Sequence, residues 1–536
     1  MRSKKSVVLA ALAIGAALAM AGCGGGGAST KSESANTSGT AGVLLYNPPF
    51  RVASVTAADF AANLTAQAQV SASAHSLLQL LTASALLPVC GVDFHYIQYY
   101  TVGATGEPTN ASGALMVPTG LPGVCTGKRP IVLYAHGTAS TRSYNIADPT
   151  NPNNEAANEN ALIAAVFAAQ GYIVVAPNYA GYDVSPLPYH PFLIADQQSK
   201  DMINALTAAR SALGKIQAAG TVDSGKLFIT GYSQGGHVAM ATHRAMQTAG
   251  MTVTASAPMS GPYAVAAFAD AIFFGNVNIG STEFSPLLVS SFQHAYQNLY
   301  RTTSDLVESA YATGFDSLEP GVGFPTLVQE GKLPLTALFN STPPTGTCND
   351  TFFLGFTPPT PATEPGITAG QAQVFAVGFG TSNLLKNSAR AAAVCDALVN
   401  PDGAFPMQTT LLPPVNPQNA LRMDTKMNDL RGWAPTTAPI LMCGGGEDPT
   451  VFFTNTKIMQ GLWQAFPTGV ITVLDVDLTT ANASDSPLPF VPLQTAFSGT
   501  LLALETAVGP QNAIAQYHTL VAPFCTVAAA GYFRNF

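Results

Sequence analysis

The segment that most limits what this chain can fold into is the run from Leu227 to His237, LFITGYSQGGH. A β-branched, apolar stretch ends at Gly231, a serine follows two residues later, and an alanine-rich stretch from Val238 to Met246 comes next. A serine at the apex of a sharp turn has a strained backbone, and side chains two positions before and after it would collide with the flanking strand and helix. Because Gly231 and Gly235 occupy those positions, the segment predicts a strand, a turn at Ser233 and a helix.

A turn of this kind has a chemical consequence for Ser233. It exposes the hydroxyl at the end of a sheet and aims the N-terminus of the next helix towards it. That helix end carries partial positive charge and free N–H groups, which stabilise an oxyanion that develops beside the serine. A glycine-rich turn without chemistry has a similar composition, so the prediction of a nucleophile depends on partners elsewhere in the chain.

Short apolar strands alternate with helices on both sides of this segment. The predicted strands are 94–102, 111–117, 130–135, 172–176, 226–231, 251–257, 439–443 and 470–476. The predicted helices are 57–87, 156–170, 194–219, 238–246, 454–466, 492–508 and 520–533. This alternation predicts an α/β fold, with a mostly parallel sheet covered by helices on both faces. From 262 to 434 the chain is rich in Phe, Ala and Pro and loses the alternation, which predicts a large cap inserted into the sheet domain.

The N-terminus has the pattern of an export signal. Basic residues precede an apolar stretch, 7–21, that is too short for a stop-transfer helix, and the sequence LAMAGC ends at Cys23. This sequence resembles a bacterial lipobox, which implies removal of residues 1–22 and lipidation of Cys23. The alternative is an ordinary secretory signal with a chance cysteine. We therefore expect an exported lipoprotein of the cell envelope, attached to a membrane through Cys23, or else a secreted protein.

Residues 23–42 form the predicted lipidated cysteine and flexible tether. They consist mainly of Gly, Ser, Thr, Ala and Asn, which bury too little apolar surface to fold. The rest of the chain is too long for one ordinary core. We divide it into a first core segment with an N-terminal extension, the cap, and a second core segment: 43–261, 262–434 and 435–536.

Six further cysteines occur after the tether, and an even number in an exported protein predicts disulfides. The sequence does not determine their connectivity, and we expect sequential pairing: Cys90–Cys125, Cys348–Cys395 and Cys443–Cys525. The sequence has no Cys-x-x-Cys pair and no His/Cys cluster, so we expect no metal site. No cofactor is implied either.

The charge balance argues against one class of partner. The net charge is −8, only 10% of the residues are charged, and no basic run occurs. Nucleic-acid binding therefore has no electrostatic support. After Cys23 the sequence has no run of 18 apolar residues, so we expect no membrane-spanning segment there.

A serine nucleophile needs a base, and the base needs an acid that holds its tautomer. In the α/β-hydrolase arrangement, which the strand, turn and helix at Ser233 resemble, the chain order is Ser, then Asp or Glu, then His. His237 and His243 fall on the helix directly after the turn, His294 falls in the predicted cap, and His518 alone lies beyond the last predicted strand. We therefore predict His518 as the base, against the alternative of a histidine in a surface loop.

The predicted acid is Asp448. It comes after the predicted strand 439–443 in a glycine turn, GGGEDP, from which a carboxylate can reach a histidine on a neighbouring loop. Asp before Pro also suits a helix N-cap, and the two roles are compatible. Glu447, Asp475 and Asp477 are the competing carboxylates.

The oxyanion site requires two backbone N–H groups. One is expected from Gln234, directly after the serine. The other is expected from Thr138, because the strand 130–135 runs into a His-Gly pair and then a small polar residue. His136 in that pair is expected to hold the loop in place rather than to take part in catalysis.

Together these motifs resemble those of the α/β-hydrolases, since His136-Gly137, the Ser233 turn, the Asp448 turn and His518 occur in the family's order. The segments YHPFLIAD (189–196) and SGPY (260–263) further resemble bacterial and fungal secretory lipases and esterases. The resemblance covers roughly residues 90–262 and 435–536. Family members usually carry the base soon after the last strand. Here about forty residues separate the end of that strand from His518, so an extra loop and helix must return it to the site.

The resemblance implies a serine hydrolase that cleaves small-molecule or lipid carboxylic esters through an acyl-enzyme. One alternative is a serine exopeptidase, for which Glu308, Glu319 and Glu330 are the available amine-binding carboxylates. Another is a surface lipoprotein that binds without catalysis. Several cap aromatics either line an acyl pocket or form the core of the cap: Phe268, Phe273, Phe274, Phe352, Phe353 and Phe356.

Overall fold

The computed structural model describes residues 39–69, 72–216, 220–344, 346–348, 351–353, 368–464 and 470–536. The predicted signal peptide, Cys23 and most of the predicted tether lie outside these ranges. The last tether residues are described, and Gly42 donates a backbone hydrogen bond to the carbonyl of Tyr100. Within the described ranges, no helix has the length and apolarity needed to cross a bilayer.

Nine of the described strands form one large sheet, in the order β1-β2-β3-β5-β4-β6-β7-β12-β13. The strands are β1 (Phe50–Val55), β2 (Gly91–Val102), β3 (Pro108–Thr119), β4 (Lys128–Ala135), β5 (Ile173–Pro177), β6 (Val222–Tyr232), β7 (Ala255–Met259), β8 (Phe339–Asn340), β9 (Gly346–Cys348), β10 (Thr351–Phe353), β11 (Phe379–Gly380), β12 (Ile440–Gly444) and β13 (Ile471–Asp475). The six strands from β5 to β13 in the sheet order are parallel, whereas β1, β2 and β3 are joined to them by antiparallel pairing. The prediction of a mostly parallel α/β sheet is confirmed.

The described helices are α1 (Ala57–Ala68), α2 (Ala72–Ala83), α3 (Ala157–Val166), α4 (Ala195–Leu213), α5 (Gln234–Thr248), α6 (Val265–Phe274), α7 (Ser281–Tyr296), α8 (Phe324–Gln329), α9 (Ala369–Ala376), α10 (Asn387–Val399), α11 (Ala420–Met427), α12 (Thr454–Trp463), α13 (Val491–Val508), α14 (Pro510–Ala515) and α15 (Tyr517–Phe533). The predicted helix 57–87 is two helices, α1 and α2. Strand β1 was not predicted, and α4 ends at Leu213, six residues before the predicted end.

The sheet order explains where functional loops meet. Strands β4 and β6 are neighbours, and Ala135 at the end of one is paired with Gly231 at the end of the other. The chain passes from β4 to β5 on one side and then returns across β4 to reach β6 on the other. A reversal of this kind opens a crevice at the carboxyl ends of the strands, where ligands bind in open α/β sheets. The turn at Ser233 and the loop after β4 therefore lie side by side.

The chain between β7 and β12 is an insertion between two neighbouring strands, and its described residues add no strand to the large sheet. This insertion carries α6 to α11 and has an apolar core of its own, separate from that of the sheet. Members of that core include Phe273, Phe315, Phe339, Leu384 and Val394. We refer to the insertion as the cap.

One residue, Asn428, joins the cap to the two helices beside the Ser233 turn. Its amide oxygen accepts from the backbone N–H of Ala195 at the start of α4, at 3.0 Å. Its backbone oxygen lies 3.0 Å from Nε2 of His237 on α5. Its amide nitrogen donates to the hydroxyl of Tyr296 on α7, at 2.8 Å. Because Asn428 and His237 are buried, these bonds fix the cap relative to the helix that begins after Ser233.

Two of the three predicted disulfides lie within the described residues: Cys90–Cys125 and Cys443–Cys525. Cys395 is also disulfide-bonded, but the side chain of its predicted partner, Cys348, lies outside the described residues. The Cys443–Cys525 bond joins β12, which precedes the Asp448 turn, to α15, which carries His518. It therefore limits the separation of those two elements.

Candidate active site

Ser233 occupies a strained turn between β6 and α5. Its backbone angles are φ 60° and ψ −123°, and non-glycine residues rarely adopt such a positive φ. A Cβ at Gly231 or Gly235 would overlap the carbonyl oxygen of Ala135, so both positions require glycine. The Ser233 N–H donates to the carbonyl of Met259 at 3.0 Å, which holds the turn against β7. The strand, turn and helix agree with the sequence prediction.

Asp448 and His518 lie in direct contact, with Oδ2 of the carboxylate 2.6 Å from Nδ1 of the ring. The carboxylate is 1% exposed and the imidazole is 13% exposed. The other oxygen, Oδ1, accepts from the backbone N–H groups of Thr450 and Val451, at 2.9 and 3.0 Å. The predicted N-cap role is wrong, because α12 begins only at Thr454; the carboxylate instead closes its own turn.

His518 lies in the first turn of α15, not in a loop, since that helix begins at Tyr517 rather than at the predicted residue 520. Helices α13 and α14 form the extra segment that returns it from β13 to the site. The hydroxyl of Tyr232 donates to the His518 carbonyl, and the two rings lie 4.8 Å apart. Tyr232 immediately precedes Ser233, so the imidazole lies beside the turn.

The remaining ring nitrogen of His518, Nε2, is buried and has no hydrogen-bond partner among the described residues. In particular, within that part of the chain the Ser233 hydroxyl makes no hydrogen bond to this nitrogen. Catalytic hydrogen bonds are often long in ligand-free enzymes and shorten when substrate binds. With Nδ1 held by Asp448, Nε2 is the atom of the ring that can accept a proton.

The other three candidate histidines have structural surroundings. His237 and His243 are buried on α5, and burial lowers the pKa of each to about 4. The ring of His243 lies 2.8 Å from the hydroxyl of Ser256 in the core. His294 lies on α7 in the cap, with Nδ1 2.8 Å from the carbonyl of Ser290. In the described structure, none of the three lines the cavity at Ser233.

The competing carboxylates hold neighbouring loops. Asp475 accepts from the backbone N–H of Gly446, and burial raises its pKa to about 7. Asp477 accepts from the hydroxyl of Tyr517 at 2.7 Å, and the same hydroxyl accepts from the N–H of Glu447 at 3.4 Å. Tyr517 precedes His518 and Glu447 precedes Asp448, so this network positions the pair. No pattern in the sequence indicated the role of Tyr517.

Two glutamates hold the loop that comes after β4. Glu159 accepts from the N–H of Gly137 at 3.1 Å, and Glu155 accepts from the N–H groups of Ser140 and Thr141 at 3.1 and 2.9 Å. Between them, the N–H of Thr138 has no acceptor in the described part of the chain. Thr138 lines the same cavity as Ser233 and Gln234. The N–H of Ala139 also has no acceptor among the described residues, but of the two only Thr138 lines the cavity.

His136 is buried below this loop, as expected for a structural residue. Its ring nitrogens lie 2.6 Å from the carbonyl of Gly137 and 3.1 Å from that of Asn178. The ring is stacked between Tyr144 and Tyr179, at 4.2 and 4.1 Å. Burial lowers its pKa to about 4. The ring thus joins the loop to the end of β5 without reaching the cavity.

His190 holds the side chain of Gln234, a contact that the sequence did not reveal. Burial lowers the pKa of His190 to about 3, so its ring is neutral. Nδ1 lies 2.9 Å from the carbonyl of Ala180 and Nε2 lies 2.7 Å from the amide nitrogen of Gln234. A neutral ring satisfies both contacts when Nδ1–H donates to the carbonyl and Nε2 accepts from the amide. In the sequence, His190 was marked only by its place in the YHPFLIAD segment.

A cavity of about 930 Å³, its open mouth included, lies at Ser233. Besides Thr138, Ser233 and Gln234 it is lined mainly by apolar side chains, among them Phe192, Leu193, Val265, Phe268, Ile272, Phe273, Phe284, Leu288, Val289, Leu306, Leu338, Leu385 and Leu421. Several of these belong to the cap core, so the cavity extends from the serine into the cap.

The cap aromatics divide between the two predicted roles. Phe268 lines the cavity, Phe273 lines it and also belongs to the cap core, and Phe274 packs against Phe405 in that core, with ring centroids 5.6 Å apart. The side chains of Phe352, Phe353 and Phe356 lie outside the described residues. The three glutamates considered for a peptidase, Glu308, Glu319 and Glu330, do not line this cavity.

Comparison with solved structures identifies similar folds. The chain is similar to a ligand-bound rice cell wall degrading esterase, LipA, from Xanthomonas oryzae, with 23% identity and a TM-score of 0.60 over 87% of this chain and 98% of that one. It is also similar to a putative hydrolase from Legionella pneumophila, with 16% identity and a TM-score of 0.59 over 92% and 97% of the two chains. The predicted α/β-hydrolase fold is thereby confirmed.

No family model matches the sequence. No curated protein matches it either.

Proposed function

We propose that this protein is a serine hydrolase that cleaves carboxylic esters, with Ser233 as nucleophile, His518 as base and Asp448 as the acid that orients the base. The observation that carries the proposal is the 2.6 Å contact between Asp448 and His518, beside the strained turn that presents Ser233. Similarity to an esterase of known structure supports it. Export, lipidation of Cys23 and attachment to a membrane through that lipid remain part of the proposal on sequence grounds.

In the proposed reaction, the Ser233 oxygen attacks the ester carbonyl while His518 Nε2 takes the hydroxyl proton. The N–H groups of Gln234 and Thr138 stabilise the oxyanion of the tetrahedral intermediate, assisted by the N-terminus of α5. Collapse of the intermediate expels the alcohol, which receives the proton from His518. Water then attacks the acyl-serine and gives a proton to His518. As the carboxylic acid leaves, His518 returns that proton to the Ser233 oxygen and the hydroxyl is restored.

The apolar lining indicates the kind of acyl group. The cavity offers contacts to methylene groups and has few polar groups away from Ser233. A polar acyl group would lose hydrogen bonds to water there without replacing them. We therefore propose esters of aliphatic acids as substrates. The matching experiment compares p-nitrophenyl esters with aminoacyl anilides, and faster cleavage of the anilides would contradict the proposal.

Acyl length should control the rate. Each methylene that enters the apolar cavity contributes about 0.8 kcal/mol, or roughly fourfold in kcat/KM. We expect kcat/KM for p-nitrophenyl esters to rise by about that factor per methylene from acetate upward, until the chain fills the cavity. Leu288→Trp should abolish the rise by filling the cavity, while Leu288→Met, which conserves volume, should keep it. An unchanged profile in Leu288→Trp would show that the acyl chain binds elsewhere.

Asp448→Asn should lower kcat by about 10⁴-fold, because a neutral amide neither fixes the tautomer of His518 nor stabilises its charged form. The amide oxygen of the variant can still accept from Thr450 and Val451, so the turn is expected to fold. Asp475→Asn is the matched control, since Asp475 ends the neighbouring strand β13 and does not contact His518 in the described structure. A larger loss in Asp475→Asn than in Asp448→Asn, measured as kcat on a soluble ester, would reassign the acid.

A further inference from the structure

Four cations converge at the end of the sheet that is opposite to Ser233. Lys128, Arg129, Lys226 and Arg534, which we call the basic patch, line an open cavity of about 810 Å³. Strand β6 has eleven residues between Val222 and Tyr232 and spans about 35 Å. The basic patch lies by its first residues and Ser233 comes directly after its last, so the two sites face opposite directions.

The charges of the basic patch are not neutralised by acidic side chains in the described part of the chain. Arg129 donates to the carbonyls of Gly171 and Gly123, and Arg534 donates to neutral oxygens. Lys226 donates to the main-chain oxygen of Phe536.

The net charge of the basic patch is therefore positive. Among the described residues, no ion pair involves Lys128 and no acidic side chain lines this cavity. In a chain with a net charge of −8, this is a local surplus of positive charge.

Exposed apolar side chains lie beside the basic patch. They form the apolar rim: Leu87, Val89, Leu121, Val124 and Val222, which are 45%, 51%, 67%, 47% and 49% exposed.

Covalent and backbone contacts place the rim beside the patch. The Cys90–Cys125 disulfide joins the segment that carries Leu87 and Val89 to the loop that carries Leu121 and Val124. Val222 pairs with Lys128 in the sheet. The guanidinium of Arg129 contacts the carbonyl of Gly123 in the same loop.

We propose that this end of the sheet docks on a membrane surface of anionic lipids. The cations of the basic patch bind phosphate head groups, and the side chains of the apolar rim enter the interface. A surface that combines lysines and arginines with exposed apolar side chains binds anionic bilayers through both forces. A free phosphate would use the cations alone and would leave the rim unexplained, so the lipid surface is the occupant that the observations favour.

Docking in this way sets the orientation of the molecule. The mouth of the cavity at Ser233 faces away from the lipid, towards solvent, because it lies at the opposite end of the parallel strands. Such an orientation suits substrates that reach the enzyme from outside the membrane. Outside the basic patch the sequence has a net negative formal charge, which the same lipids repel, so the basic patch fixes which side docks.

The test is vesicle flotation of the full chain carrying Cys23→Ser, so that no acyl chain at that residue contributes. We expect binding to mixed phosphatidylglycerol–phosphatidylcholine vesicles, weak binding to pure phosphatidylcholine, and loss of binding in about 1 M salt, where charges are screened beyond about 3 Å. Lys128→Gln, Lys226→Gln and Arg534→Gln together should weaken binding by about 100-fold, as expected for three cations near the surface.

Two further variants keep the test decisive. Lys200→Gln, Lys332→Gln and Arg301→Gln together remove the same charge from exposed positions outside the patch and should leave binding unchanged. Leu121→Ser with Val124→Ser keeps every charge and should weaken binding through the rim. All three variants should retain activity on a soluble ester, which reports correct folding.

Three outcomes would overturn the proposal. One is equal binding of the patch variant and the wild-type chain, and another is equal binding of the wild-type chain to neutral and anionic vesicles. The third is binding of inorganic phosphate, measured by calorimetry, without binding to vesicles, which would identify a small-anion site instead.

Discussion

Replacing Ser233 with alanine is expected to lower kcat for ester hydrolysis by about 10⁴–10⁶-fold, because the members of a catalytic triad act as a unit. The variant lacks the oxygen that forms the acyl-enzyme, and no other hydroxyl occupies the apex of the turn. Steady-state kinetics on a soluble p-nitrophenyl ester measure the loss. Labelling by a fluorophosphonate probe, located by peptide mapping, should disappear at the same time.

The fold should tolerate this change, since the backbone bond from residue 233 to Met259 does not involve the side chain. Ser199→Ala is the matched control: its hydroxyl donates to the carbonyl of Asp196 on α4, away from the cavity. It should keep full activity and full labelling. If Ser233→Ala hydrolyses esters at the wild-type rate, the nucleophile has been assigned wrongly.

Replacing His518 with alanine is expected to cost about as much as the loss of the serine, up to about 10⁶-fold in kcat. Without the imidazole the hydroxyl has no base, and the Asp448 carboxylate loses the partner that it holds at 2.6 Å. Labelling by the fluorophosphonate should slow by a similar factor, because the probe also requires an activated hydroxyl. The combined Ser233→Ala, His518→Ala variant should be little slower than either single variant.

His294→Ala is the informative control for the histidine. The variant removes the imidazole of His294, which also follows Ser233 in the chain but lies in the cap. There its ring stacks on Tyr189, with the ring centroids 4.0 Å apart. We expect at most a small effect on kcat. A loss in His294→Ala that exceeds the loss in His518→Ala would mean that a histidine of the cap, and not one of the core, serves the serine.

The sequence predicted those features that short stretches of chain determine. The turn at Ser233 results from two glycines, because a Cβ at either position would overlap the backbone of β4. Asp448 was predicted as the acid because it comes after a buried strand, and parallel strands bring their carboxyl ends to one edge. His518 was predicted as the base by exclusion, although its placement in a loop was wrong, since α15 begins three residues earlier than its apolar pattern indicated.

Other features depend on contacts between distant segments, and no local pattern records them. The bond from His190 to Gln234 joins residues 44 positions apart, and it requires a neutral ring that only burial provides. Tyr517 supports the site because Asp477 and the turn at Glu447 meet at its hydroxyl. Nor did the sequence decide which aromatic side chains of the cap line the cavity. The structure places Phe268 and Phe273 there.

By itself, then, the sequence determined the α/β class, the turn that presents the serine and the identity of its candidate partners, because glycine sterics and strand periodicity act over a few residues. Only the tertiary structure decided which oxygen of Asp448 faces His518, which residue of the β4 loop lines the cavity, and which cations gather at the far end of the sheet. The physical reason is that distances between side chains and the burial that shifts their pKa values arise from packing of segments remote in the chain. A linear pattern contains neither quantity.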